Sequence, residues 1–205
     1  PGEVTSYEDL ASPEMADRIC TRSGKHIYNI SLLASIIAAK GRQEALNWAR
    51  GLKAALARRP QGNDRSQVKA VFEGICDFAL GNTYYMGKMA TNEKEPEQKQ
   101  WANSVNIIFP NQKGRGAHVN ISGAGVTKNA KNKANAVKLI EYLSSDAAQK
   151  LYAMGNFEYP VRANIPLHPL VAGWGQFKAD TVFLAAIAEA RTEASKIMDE
   201  VGFNQ

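Results

Sequence analysis

Apolar positions follow two different periods along the first half of the chain. Residues 18–22 and 74–80 are short strand-like runs, and between them apolar residues recur at helical spacing in residues 28–40, 43–57 and 65–74. Glycine or proline turns end each of the helical patterns. Because strand and helix patterns alternate, the sequence predicts an α/β lobe rather than separate all-α and all-β parts.

The second half of the chain is predicted to be mainly helical, with extended and polar connections. Its predicted elements are helices at residues 134–143, 146–154 and 180–201, short strands at 105–109 and 157–161, a solvated loop or frayed helix end at 91–99 and a glycine-rich extended crossover at 113–127. The last helix is amphipathic, so we expect one of its faces to pack on the core.

Two predicted strand-to-helix corners carry the candidate chemistry. The turn after Leu80 places Tyr84 and Tyr85 in the first turn of a helix, and Tyr28 occupies a similar place after the strand at residues 18–22. In open α/β sheets ligands collect beyond the carboxyl ends of the strands, and the positive end of a helix dipole favours phenolate over phenol. We therefore expect both corners to face one cleft.

The adjacent tyrosines suggest ferric iron. Fe3+ is a hard cation that prefers anionic oxygen donors, and a phenolate is such a donor once the metal has displaced its proton. The same pair also fits one core residue beside one surface residue, so Tyr84 and Tyr85 alone leave both interpretations open. Binding through phenolates should weaken as the pH falls, because protons compete for the same oxygens.

Composition and charge exclude other classes of protein. The 205 residues are 44% hydrophobic and 22% charged, as in globular chains, and the longest apolar runs are too short to cross a membrane. The net charge of +5 is spread among acidic residues and accompanies no recognition motif, so we predict no nucleic-acid partner. No nucleophile–base set, paired carboxylates or catalytic motif is recognisable, which predicts that the protein is not an enzyme.

The two cysteines and the start of the chain bear on the cellular compartment. Cys20 and Cys76 lie at similar places in the two strand-like runs, so a disulfide between neighbouring strands is possible. An even number of cysteines fits an oxidising compartment, but two buried free thiols would give the same sequence. The first nine residues have neither a basic nor an apolar export region, so we expect any signal to have been removed or never present.

Several motifs together resemble a known family, the periplasmic ferric-iron binding proteins of bacterial and cyanobacterial iron ABC transporters. The resemblance covers essentially the whole chain. The motifs are Arg22-Ser-Gly-Lys-His-Ile-Tyr-Asn-Ile-Ser-Leu32, Gly62-Asn-Asp-Arg65, Gly81-Asn-Thr-Tyr-Tyr-Met-Gly-Lys88, His118-Val-Asn-Ile-Ser-Gly-Ala-Gly-Val126, Leu139-Ile-Glu-Tyr-Leu-Ser-Ser145 and Glu158-Tyr-Pro-Val161.

The resemblance implies a set of site residues. In that family the double tyrosine supplies two phenolate ligands and the cyanobacterial type adds a third, which implies Tyr28, Tyr84 and Tyr85 as the ligands here. Arg22 and Arg65 are implied as groups that orient a phenolate or a bound anion, and the ordinary alternative for both is a surface or structural ion pair. The three histidines are excluded from the ligand set, and the helix start is expected to aim one of them, at position 26, away from the neighbouring tyrosine.

The resemblance also implies an architecture, which is α/β and similar to type II periplasmic binding proteins, with two lobes and a hinge. Residues 1–117 and 172–205 would form the second lobe, and residues 118–171 the crossover and the returning part of the first lobe. Family members are longer at the N-terminus, so we expect this chain to be a C-terminal fragment with an incomplete first lobe.

The implied function is binding of Fe3+, with Fe2+ as a second option and with a synergistic anion, in the periplasm. The implied partners are an inner-membrane ABC permease and the missing N-terminal segment of the same protein, with no membrane insertion. The alternative is a two-lobed solute-binding protein for a small organic cation or anion, in which the tyrosines serve as stacking walls.

Overall fold

A computed structural model describes residues 4–205, which form two short parallel strands and a set of helices. The strands are β1 (Ile19–Cys20) and β2 (Phe78–Ala79), and Ile19 pairs with Phe78 while Cys20 pairs with Ala79. The helices are α1 (Ile27–Lys40), α2 (Arg42–Ala54), α3 (Asp64–Phe72), α4 (Tyr84–Ala90), α5 (Glu97–Asn103), α6 (Lys133–Leu143), α7 (Asp146–Asn156), α8 (Pro169–Gly173) and α9 (Leu184–Glu200). Two single 3-10 turns, Asp9–Ala11 and Pro13–Met15, precede β1.

Helix α1 lies at the centre of the main core. It packs against α9 and α2, and it buries Ile30, Leu33 and Ile36. Burial of each such side chain contributes about 1.5–3 kcal/mol to the free energy of folding, so the contacts of this helix stabilise the elements packed around it. Gly41 ends α1 with a φ of +84°, a conformation that favours glycine, and α2 begins at the next residue.

Some predicted ends of strands and helices differ from the observed ones because of backbone pairing with β1. Helix α2 ends at Ala54 rather than at residue 57, because Leu56 bridges Ile19 and the Ala57 N–H donates to the Ile19 carbonyl. The second strand starts at Phe78, so Cys76 lies just before the strand and not in it.

Two of the strand predictions are wrong. Residues 105–109 and 157–161 form no strand, because a strand needs a neighbour to satisfy its backbone groups and neither run has a ladder partner among residues 4–205. Residues 91–99, predicted as a solvated loop or a frayed helix end, include the first three residues of α5, which buries Gln98 and Ala102 as it packs on α3 and α4.

The cysteines form a disulfide, Cys20–Cys76, so the bridged alternative is the one observed. Both residues are buried, and they pack with Ala70 and Val71 of α3. The bridge therefore ties β1 to the segment between α3 and β2, which is the part of the fold that leads to both tyrosine corners.

Residues 118–171 leave the main core and return to it at one place. The Ala117 N–H donates to the Lys178 carbonyl and the Asp180 N–H donates to the Ala117 carbonyl, so the outgoing and returning segments are paired. A buried ion pair between Arg115 and Asp180 spans the same junction. Further along, α7 contacts α4. The division into lobes at these residues stays a prediction.

Within residues 4–205, no helix combines the length and the apolar character needed to span a bilayer.

Candidate metal centre

The structure brings the three predicted tyrosines together from two separate helix starts. Tyr28 is the second residue of α1, and Tyr84 and Tyr85 are the first two residues of α4. The Tyr28 and Tyr84 hydroxyl oxygens are 3.1 Å apart, and the Tyr84 and Tyr85 rings stack with centroids 4.3 Å apart. All three side chains are half-buried. The Tyr28 and Tyr84 hydroxyls thus meet as expected, with the Tyr85 ring stacked on that of Tyr84, while the role of all three as metal ligands stays a prediction.

The parallel pairing of β1 and β2 explains this convergence. Adjacent strands lie about 4.8 Å apart, so the chain segments that follow their carboxyl ends start side by side. The segment after β1 leads into α1 and the segment after β2 leads into α4. Residues 56 positions apart in sequence therefore meet at one edge of the sheet.

Each tyrosine ring has a cation on it. The guanidinium carbons of Arg22 and Arg65 lie 5.2 Å from the ring centres of Tyr28 and Tyr85, respectively. A nearby positive charge favours the ionised form of a phenol. The Nε atoms of both arginines are buried and have no hydrogen-bond partner in the structure. Both arginines lie beside phenol rings, and Arg22 also forms an ion pair with Asp64, which is the alternative expected for these two residues. Their role in orienting a phenolate or a bound anion stays a prediction.

The sequence interpretation missed the third cation, Lys88. Its Nζ lies 5.0 Å from the centre of the Tyr84 ring. Lys88 follows Tyr84 by four residues in α4, and residues four apart lie on the same face of a helix. The four-residue spacing between Tyr84 and Lys88 was the sequence feature from which this contact could have been predicted.

The sequence interpretation also missed Asp64, the first residue of α3. Its buried carboxylate accepts a hydrogen bond from Arg22 Nη1 at 2.5 Å and one from the Asn82 backbone N–H at 2.8 Å. Arg22 belongs to the Tyr28 corner and Asn82 to the Tyr84–Tyr85 corner, so one carboxylate contacts both corners. Local sequence gave no sign of this, because Asp64 is 42 positions from Arg22.

The Tyr84 phenol holds its proton tightly in the metal-free protein. Burial raises its pKa well above the usual value, and the hydroxyls of Tyr28 and Tyr85 raise that pKa further through hydrogen bonds and mutual repulsion of the ionised forms. A cation that binds here must therefore displace a proton from Tyr84 at neutral pH.

The histidines are engaged elsewhere. His26 caps α1 through Nδ1, which accepts from the Tyr28 N–H, and its ring lies edge-on to the Tyr28 ring with centroids 4.5 Å apart. The expectation that these two side chains point apart was wrong, because the cap turns the imidazole back over the first turn. His118 Nε2 lies 3.0 Å from Ser31 Oγ, and His168 caps α8 through Nδ1.

Burial lowers the pKa of His26, with a further contribution from the charge of Arg22, and burial lowers the pKa of His118 to about 4. Both imidazoles are therefore neutral at neutral pH. Among residues 4–205 there is no group of three or more His, Cys, Asp and Glu side chains that could hold a metal ion. A metal at this site would depend on the tyrosine oxygens.

A cavity of about 350 Å³ lies behind the tyrosine corner, between β2, α3, α4 and residues 104–110. Tyr85 lines it, but Tyr28 and Tyr84 do not. Its lining is mostly apolar, and it is separate from the point where the hydroxyls meet.

The tyrosine cluster sits at the carboxyl edge of a parallel sheet, which is where binding proteins with open α/β lobes hold their ligands. Residues 2–174 match the family described as bacterial extracellular solute-binding protein, and the chain belongs to that family. The predicted fold class and the resemblance to periplasmic ferric-iron binding proteins are confirmed.

The relatives bear names that concern iron. The chain is 48% identical to Iron uptake protein A1 of Synechocystis sp. over 99% of its own length and 56% of that protein. It superimposes with a TM-score of 0.94 and 50% identity on an apo ferric ion-binding protein A of Pasteurella haemolytica, covering 100% of this chain and 63% of that one.

A second solved structure, from Trichodesmium, is described as being in complex with iron and citrate ligands. It gives a TM-score of 0.93 at 45% identity and covers 99% of this chain and 64% of that one. The chain thus spans less than two thirds of the length of these relatives. Their names are those of binding and uptake proteins rather than of enzymes.

Proposed function

We propose that the protein binds ferric iron through the phenolates of Tyr28, Tyr84 and Tyr85 and delivers it to an inner-membrane ABC permease. The observation that carries the proposal is the 3.1 Å separation of the Tyr28 and Tyr84 hydroxyl oxygens, which come from different helix starts. Two protonated phenols gain only one weak hydrogen bond from such an approach, whereas two phenolates require a shared cation to offset their repulsion. The iron-related names of the relatives support the same cargo.

The charge balance favours Fe3+ and an accompanying anion. Three phenolates neutralise three positive charges, so Fe3+ leaves the first shell neutral while Fe2+ leaves it negative. Around that shell lie the cations of Arg22, Arg65 and Lys88, and the Asp64 carboxylate is paired with the first of them. This excess of positive charge would attract a small anion of the carbonate or citrate type, and the Trichodesmium relative has a citrate ligand.

The periplasm is the proposed compartment. The family is described as extracellular, and the Cys20–Cys76 disulfide fits an oxidising environment. An ABC permease is the corresponding partner for a solute-binding protein, and closure of the protein around its cargo would be the state that the permease recognises.

The test is the iron content of purified protein by elemental analysis, together with the visible absorption spectrum. We expect wild type to bind iron and to show a broad phenolate-to-iron charge-transfer band, and the double variant Tyr84→Phe, Tyr85→Phe to lose both. The matched control is Tyr142→Phe, Tyr152→Phe, which removes two exposed hydroxyls of α6 and α7 and should change neither. Undiminished iron in the first double variant would contradict the proposal.

The alternative cargo, a small organic cation or anion held by tyrosine walls, differs in one structural respect. Stacking walls need free ring faces, but a protein cation lies on one face of each of the three rings, and the Tyr84 and Tyr85 rings also stack on each other. A colourless complex whose formation needs no metal would favour this alternative.

A further inference from the structure

We propose that Asp64 is a positioning residue that holds the two tyrosine corners in register for metal binding. This inference rests on the proposed function, because it assigns a task to Asp64 within the same site. Asp64 forms hydrogen bonds with Arg22 and Asn82, and it acts on the tyrosines through these two neighbours.

The burial of Asp64 shows that its carboxylate is part of the interior. Its side chain is 2% exposed, and its ion-pair partner Arg22 is 14% exposed. A carboxylate taken out of water is costly unless charge and hydrogen bonds compensate it. Here Oδ2 accepts from Arg22 Nη1 and Oδ1 accepts from the Asn82 N–H, so both oxygens are used. The first turn of α3 adds the favourable end of a helix dipole.

The backbone next to Asn82 is shaped to admit this carboxylate. A Cβ added at Gly81 would lie 3.3 Å from Asp64 Oδ1 and 3.6 Å from Asp64 Cβ. The glycine therefore lets the turn approach the carboxylate closely enough for the Asn82 N–H to donate to it. The Asn82 side chain continues the connection, since its Oδ1 accepts from Asn120 Nδ2 at 2.9 Å.

Both contacts of Asp64 lead to a proposed ligand. Arg22 extends from the carboxylate to the face of the Tyr28 ring, 5.2 Å from the ring centre. Asn82 is two residues before Tyr84, so the Asp64–Asn82 hydrogen bond fixes the turn from which α4 starts. The path from Tyr28 through Arg22, Asp64 and Asn82 to Tyr84 thus bridges the two corners by a route separate from the strand pair and the disulfide.

Removing the carboxylate would release both corners. Without Asp64, the Arg22 guanidinium would be left with an uncompensated charge in a nearly buried place and would turn toward solvent, away from Tyr28. The Asn82 turn would lose the acceptor of its N–H. The Tyr28 and Tyr84 oxygens would then no longer be held at the spacing that a single cation requires.

The experiment compares Asp64→Asn with wild type and with the control Asp77→Asn. Asp77 pairs with Arg18 between the same two strand segments, but its side chain is 58% exposed. We expect Asp64→Asn to raise the dissociation constant for Fe3+ about tenfold or more and to shift the charge-transfer band or lower its absorbance per bound iron. In metal-free protein, hydrogen exchange at the Asn82 amide should become faster, because the neutral amide oxygen of asparagine accepts the Asn82 N–H more weakly than the carboxylate does. Asp77→Asn should match wild type in all three.

The outcomes separate this inference from the proposed function. An iron affinity and a charge-transfer spectrum that are the same in Asp64→Asn and wild type would overturn the positioning role alone. No iron binding by wild type would overturn the proposed function and this inference with it. If Asp64→Asn does not fold, Arg22→Lys replaces it in the experiment, because a lysine keeps the charge but cannot bridge the Asp64 carboxylate and the Tyr28 ring. A charge-transfer spectrum of Arg22→Lys that equals that of wild type would count against the inference.

Discussion

Loss of the Cys20–Cys76 disulfide should destabilise the fold by an amount that follows from its place in the chain. The bridge joins residues 56 positions apart. In the chain-entropy account, closing a loop of this length removes about 14 cal/mol/K from the unfolded state, or about 4 kcal/mol at 25 °C. Since measured values commonly fall below this figure, we expect reduction to lower the free energy of unfolding by about 2–4 kcal/mol.

Urea denaturation of oxidised and reduced wild type measures this difference directly. The control is the double variant Cys20→Ala, Cys76→Ala, whose unfolding should not respond to reductant. The folded double variant should still show the phenolate-to-iron charge-transfer band. The backbone hydrogen bond from the Leu80 N–H to the carbonyl of residue 20 does not depend on the cysteine side chain and keeps the two strand ends side by side. Equal stability of oxidised and reduced wild type, within about 0.5 kcal/mol, would refute the loop-closure reasoning.

Two further predictions concern packing and pH. Gly87→Ala should destabilise the protein by about 1–2 kcal/mol, because the added Cβ would lie 2.5 Å from Cδ1 of Phe157. The control Gly155→Ala in α7 has open space at the added Cβ and should not destabilise the protein. Thermal melting measures both variants, and equal melting points for Gly87→Ala and wild type would contradict the clash. Burial raises the pKa of Tyr7 to about 12, so its phenol contributes stability that is present below pH 10 and is lost as the pH rises toward 12, by about 3 kcal/mol in all. Urea denaturation between pH 8 and 11 should show a steeper loss for wild type than for Tyr7→Phe, and parallel curves would contradict the assignment.

The helices were predictable because their signal is local. Helix α1 shows apolar residues every three or four positions and ends at a glycine, and the structure has it at Ile27–Lys40. The tyrosine corners were predictable for the same reason, since a strand-like run, a turn and a helix start lie within about a dozen residues of one another. By contrast, residues 105–109 carry a strand-like pattern without forming a strand, because strand formation depends on a neighbour and not on the run itself.

The amino-acid sequence by itself determined the family, the longer helices and the three candidate tyrosines, because these depend on side-chain type and on short spacings. Only the tertiary structure decided that the two cysteines are bridged, that Tyr28 and Tyr84 meet at 3.1 Å, and that Lys88 and Asp64 belong to the site. The physical reason is that each of these contacts but one joins segments distant in sequence, whose approach is set by the packing of the strands and helices between them. The exception, Lys88, lies one helical turn from Tyr84, and its position over the ring depends on the side-chain packing of α4.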